Sequence, residues 1–171
     1  MRLLILISTA VLFFTFSACE KDDCTVWQTV TVTGTYTNTP DLTGGFHSVT
    51  LPDGSMVSLP KKYAVGGSDN VIGTVDASKS TLEVTSVSLN PKTGSFDSAI
   101  HITLIGSAGD QIHLKGSSQV YADNTGVSWF HYSEGTSKFA DITGWLNATS
   151  VFNPGTGVNN VSATGEATYK K

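Results

Sequence analysis

Arginine occurs once in this 171-residue chain, at position 2, and charged residues of every kind make up only 14% of it. Nucleic-acid binding needs a basic stripe, best built from guanidinium forks, so that class of function is excluded. Cysteine is almost as scarce: Cys19 and Cys24 are the two present. Zinc is held by several clustered Cys and His side chains. The four histidines, His47, His101, His113 and His131, show no such spacing, so no metal and no other cofactor is expected. No Gly-x-Ser-x-Gly, His-Glu-x-x-His or P-loop pattern occurs either, which removes the commonest sequence signals of hydrolase, metalloprotease and nucleotide chemistry. Long apolar runs are missing after residue 16, and helical periodicity is nearly absent after residue 24.

What is present begins at the N-terminus. Arg2 precedes an uncharged apolar run from Leu3 to Phe16, then Ser17-Ala18-Cys19 and Glu20-Lys21-Asp22-Asp23. A membrane-spanning helix needs about 20 apolar residues, whereas a run of this length suits the apolar region of a signal peptide. Phe16-Ser17-Ala18-Cys19 resembles the lipobox of bacterial lipoproteins, which are cut before the cysteine and acylated on it. The resemblance implies a signal peptide over 1–18 and an acylated Cys19 opening a tether over 19–24. The mature body would follow over 25–171, anchored in the bacterial outer membrane by its lipid, since stable anchoring takes more than one acyl chain. Lys21-Asp22-Asp23 resembles the export tag of Bacteroidota surface lipoproteins and implies surface exposure. Removing 18 of the 171 residues leaves 153, with nine lysines against 14 carboxylates and a formal charge of −5. Cys24 then stands alone near the membrane, unpaired or joined to a second molecule.

The body reads as all-β. Thr, Ser, Val and Gly dominate, in short segments separated by turn signals such as Pro52-Asp53-Gly54, Asn90-Pro91 and Ala108-Gly109-Asp110, as expected of a sandwich or barrel. Between Thr25 and Thr37, Val26, Val30, Val32 and Tyr36 share one face, while Trp27 and threonines take the other. One hairpin can be registered. The apolar faces Ile100/Ile102/Leu104 and Ile112/Leu114 coincide only if 102 pairs with 114 and 104 with 112. Ser107-Ala108-Gly109 is then a three-residue loop with its glycine in the left-handed position. A one-residue slip would bury His113 and expose Ile112. In this register His101 and His113 lie diagonally on the polar face, with Lys115 opposite His101, and read as solvent-facing rather than as ligands. Ala64 to Asn70 and Asn153 to Asn160 read as polar, glycine-rich loops.

From Ile100 onward the chain resembles a known family. Gly135-Thr136-Ser137-Lys138-Phe139 leading to Thr143-Gly144, together with Gly109-Asp110-Gln111-Ile112 and Ala163-Thr164-Gly165-Glu166-Ala167, is similar to the allene oxide cyclase and dirigent β-barrels. There a Gly-Thr-Gly-x-Phe-x-x-x-x-Gly segment joins two late strands. The resemblance implies a single small antiparallel barrel of about eight strands. Gly135, Thr136, Phe139 and Gly144 would be its structural motif, with Phe139 plugging one end and Ser137 standing where the family has its second glycine.

A barrel of that size holds packed side chains or one small ligand. Three functions follow. A non-catalytic barrel would bind a small apolar ligand, with Tyr121, Trp129, Tyr132 and Trp145 as candidate lining. Adjacent strand residues face opposite ways, so only one of Trp129 and Phe130 can be inside. A cyclase-like or dirigent-like enzyme would need a positioned acid or base; Asp110, Glu134, Asp141 and Glu166 are the candidates. None has a partner at a telling spacing, so no catalytic residue is assigned. The third is a surface module binding a glycan or protein through loops, in which Asp97-Ser98-Ala99 resembles a Bacteroidota glycosylation signal.

Overall fold

The computed structural model describes residues 25–171. The signal sequence, Cys19, the tether and Cys24 lie outside the described residues.

The described chain is a closed antiparallel barrel of eight strands. In chain order they are β1 (Trp27–Pro40), β4 (Lys62–Asp69), β6 (Thr81–Leu89), β7 (Phe96–Ile105), β8 (Gln111–Val120), β9 (Thr125–Gly135), β10 (Thr143–Phe152) and β11 (Asn159–Lys170). They pair in the order β1-β11-β10-β9-β8-β7-β6-β4, and pairing of β1 with β4 closes the ring. Closure leaves no long strand edge open to a second chain. A short β5 (Gly73–Val75) adds to the end of β4, and the hairpin β2 (Phe46–Thr50) with β3 (Met56–Pro60) forms a separate two-stranded flap. The flap is tied to the barrel where His47 Nε2 meets the Val84 carbonyl of β6 at 2.8 Å.

The alternation expected for β1 is observed from Val30 onward: Val32 is fully buried and Tyr36 nearly so, while the threonines between them face out; Val26 precedes the strand and is exposed. The β7–β8 register is also as expected, with Ile102 opposite Leu114 and Leu104 opposite Ile112. Gly106 N–H donates to Asp110 O and closes the 107–109 loop, in which Gly109 has φ +91°. Lys115 lies opposite His101 on one side and His131 on the other, all three on the outer wall.

The Ala64–Asn70 loop is not a loop. Residues up to Asp69 belong to β4, and their glycines serve the seam rather than a turn. Gly67 sits opposite Tyr36 with φ +124°, and a Cβ there would lie 2.2 Å from the Thr35 carbonyl oxygen. Only glycine lets β4 approach β1 that closely. The second polar stretch is a turn over its first six residues; Asn159 and Asn160 already belong to β11.

One end of the barrel is plugged. Phe139, on a short 3₁₀ turn (Ser137–Phe139), is 1% exposed and packs against Tyr169 with ring centroids 5.0 Å apart and planes tilted by 57°. Both belong to the same buried core as Ile112, Val32, Ile142 and Ala167. Thr136 Oγ1 accepts from Gln111 N–H, and Gly135 has no room for a side chain against the Phe139 and Gln111 carbonyls. Ser137 has φ +52°, the left-handed region that strains a residue with a Cβ. Ser137→Gly is therefore expected to stabilise the protein by about 0.5–1 kcal/mol, the relief of that strain less the greater freedom glycine gives the unfolded chain. Paired urea titrations of the two proteins would show it as a higher midpoint at unchanged slope.

Four turns share one chemistry. Asp41, Asp53, Asp76 and Asp123 each accept from the backbone N–H and hydroxyl of the Ser or Thr two residues later. Those hydrogen bonds favour the ionised carboxylate and lower all four pKa values. Asp76, which also has Lys79 beside it, falls to about 2.

Candidate functional site

The barrel is filled at one end and hollow at the other. A cavity of about 300 Å³ opens between the β2–β3 flap and the rim of the barrel. It narrows into a deeper hollow of about 60 Å³ between Leu114, Phe130 and Leu146. Asn38, Leu82, Ile100, Ser118 and Asn159 line both and make them one funnel. The wall is largely aliphatic and aromatic, as in most small-molecule sites. The lining of both compartments contains no Asp, Glu, Lys, Arg or His.

The funnel follows from strand parity. Asn38 and Asn159 are a directly paired couple across β1 and β11, both pointing inward. Ser118 and Ser128 are likewise paired across β8 and β9, and the Ser128 hydroxyl donates to that of Ser118 at 3.0 Å. Small and polar residues at these inward positions leave the space that the bulky core around Phe139 does not. The carboxamide oxygen Oδ1 of Asn159 is buried and has no hydrogen-bond partner, a costly condition for a polar group.

Below the funnel lies a hydrogen-bonded floor. Tyr36, which lines the deeper hollow, donates its hydroxyl to Asp69 Oδ2 at 2.5 Å. The other Asp69 oxygen accepts from Val71 and Ile72 N–H. Gly34, opposite Asp69, makes the room: a Cβ there would lie 2.7 Å from that of Asp69. Burial first, and then the neighbouring Asp69 carboxylate, pushes the Tyr36 hydroxyl far above the usual range for tyrosine. Tyr132 is shifted the same way, again chiefly by burial. Both hydroxyls therefore stay protonated at neutral pH, and Asp69 is occupied by three donors. The floor is therefore satisfied within itself.

The four aromatic residues expected to line a pocket are scattered. Tyr121 stands at the rim of the funnel. Tyr132 is buried in the packed core. Trp129 and Trp145 project outward, 47% and 49% exposed, so neither contributes to the cavity; Phe130 is the inward member of its pair. The two tryptophans flank Asn147 and His131 on the outer wall. The acidic candidates are also outside: Glu134, Asp141 and Glu166 are exposed, Asp141 pairs with Lys170, and Asp110 lies in the β7–β8 turn. Ser98 of the glycosylation-like triplet faces the mouth of the funnel. Sequence reasoning missed the Tyr36–Asp69 pair and the Asn38–Asn159 pair, because only closure of the barrel brings their partners together. Among the described residues no cluster of His, Cys, Asp and Glu could hold a metal ion.

Neither a protein-family model nor a curated protein matches the sequence. In fold, the chain is similar to the structure of a pterocarpan synthase dirigent protein, at 14% identity and a TM-score of 0.49. The match covers 86% of this chain and 93% of that one.

Proposed function

We propose that this protein is a lipid-anchored envelope lipoprotein of the bacterial outer membrane whose barrel binds one small apolar molecule, without chemistry, in the funnel beneath the β2–β3 flap. The funnel carries the reading: it is apolar, open at one end and lined by a few inward amides and hydroxyls. The Phe16-Ser17-Ala18-Cys19 sequence supports the anchor. Two measurements test the two halves. The mature protein should bind the uncharged fluorophore N-phenyl-1-naphthylamine with a rise in emission. Ser98→Trp, which fills the mouth, should weaken that binding by at least about tenfold with little change in melting temperature. Equal binding by this variant would overturn the cavity reading. Cys19→Ala should move the protein from the membrane pellet to the soluble fraction; normal pelleting would overturn the anchor.

The outward pair Trp129 and Trp145 favours one further reading, a surface partner met on the β9–β10 wall, since exposed aromatic patches mark interaction sites.

A further inference from the structure

The outer wall of β9 and β10 carries two indoles in solvent, Trp129 at 47% and Trp145 at 49% exposure. Trp129 lies opposite Asn147, and Trp145, two residues before Asn147, lies opposite His131. The indoles are therefore diagonal neighbours on adjacent strands, roughly 7–8 Å apart at Cα. The backbone under each is pinned. A Cβ on Gly116 would lie 2.0 Å from the Trp129 carbonyl oxygen, and one on Gly165 would lie 2.0 Å from that of Trp145. Bare backbone at these two positions draws β8 onto β9 and β11 onto β10. The strands that carry the indoles are thus held in place before any partner arrives, which lowers the cost of binding one.

The surroundings say what kind of partner fits. Ser117 and Asn147 flank Trp129 in register, Thr164 lies opposite Asn147, and Thr149 follows Asn147 on the outward face of β10. All four are exposed, and all four side chains both donate and accept hydrogen bonds. The row through Trp145 reads Lys115, His131, Trp145, Glu166, so its lysine and its carboxylate stand at opposite ends and offset each other. Protein interfaces surround their aromatic anchors with apolar groups and are poor in serine; here Val127 is the one aliphatic outward neighbour of the pair. A pyranose ring has the matching make-up: an apolar face of C–H groups for an electron-rich indole, and a rim of hydroxyls that donate and accept. Two platforms side by side on an open wall suit an extended chain of such rings. The excess of acidic over basic residues in the chain disfavours an anionic polymer.

We infer that the partner is a neutral polysaccharide, an extended chain whose sugar rings stack on Trp129 and Trp145 while their hydroxyls bond to Ser117, Asn147 and Thr164; this rests on the reading of the β9–β10 wall as a surface that meets a partner.

Isothermal titration of the mature protein with cellohexaose, xylohexaose and mannohexaose tests it, with hexagalacturonate as the charged counterpart. At least one neutral hexasaccharide is expected to bind, and more tightly than hexagalacturonate. Trp129→Ala and Trp145→Ala should each weaken that binding by about tenfold or more at unchanged melting temperature, since both side chains are exposed. Trp27→Ala, on β1 beyond β11, should leave it unchanged. If an alanine variant does not fold, protection of the same indole from hydroxyl-radical labelling by the bound sugar decides in its place. No binding of any neutral hexasaccharide, tighter binding of hexagalacturonate, or binding unmoved by both tryptophan variants would overturn the glycan. The same labelling, done on membranes carrying the anchored protein and on the purified protein, separates this failure from that of the wall. Without sugar binding, weaker labelling of the two indoles in membranes would leave the wall as a surface met by another protein; equal labelling would overturn both readings.

Discussion

Replacing Phe139 by alanine is expected to remove roughly 3–5 kcal/mol of folding free energy, the usual cost of deleting a buried aromatic ring. The side chain is 1% exposed and packs on Tyr169 at the plugged end, where little can relax inward. The barrel wall on every side is hydrogen-bonded into a closed ring, so the hole should persist rather than collapse. Urea unfolding of the two mature proteins measures the difference. A loss below about 1 kcal/mol would mean that the ring is not a core element. Native stability of a small domain is only about 5–15 kcal/mol, so a loss of the expected size would leave the variant marginal and easily cleaved by protease.

Gly144→Ala is expected to cost as much, roughly 3–5 kcal/mol, for a different reason. Gly144 has φ +128°, and an added Cβ would lie 2.0 Å from the Glu166 carbonyl oxygen on the neighbouring strand. The backbone conformation and the packing both refuse a side chain, and the obstacle is main chain that cannot rotate away. Gly109→Ala gives the contrast. Its φ is +91°, but nothing lies within 4 Å of the added carbon, so only the conformational penalty of about 1–2 kcal/mol applies. If the two variants lose equal stability in parallel denaturation curves, close strand approach is not what selects glycine at position 144.

These two positions show how much of the molecule was legible in the sequence. The Gly135–Gly144 segment and its Phe139 could be read because a local motif makes its own turn and plug. The β7–β8 register could be read because a slip of one residue would have exchanged Ile112 for His113 in the core. The parity of β9 could not. Trp129 and Phe130 are both large and apolar, so the pattern alone does not say which faces inward, and the inward row is fixed by pairing with Ser118 and Gly116 on β8. The site was the least legible part. Asn38 lies 121 positions before Asn159, and Tyr36 lies 33 before Asp69; closing the ring makes them neighbours. The glycines that allow this closure looked like punctuation, since Gly-Gly-Ser signals a turn unless a partner strand requires bare backbone.

The direction of β1 has a consequence for how such a molecule would stand in a cell. The strand starts at Trp27, beside Lys170 at the plugged end, and reaches Asn38 at the open one. A lipid on Cys19, eight residues before Trp27, would therefore hold the barrel by its sealed base. The funnel would face away from the bilayer, and cargo would be exchanged with the surrounding medium rather than drawn sideways out of the leaflet.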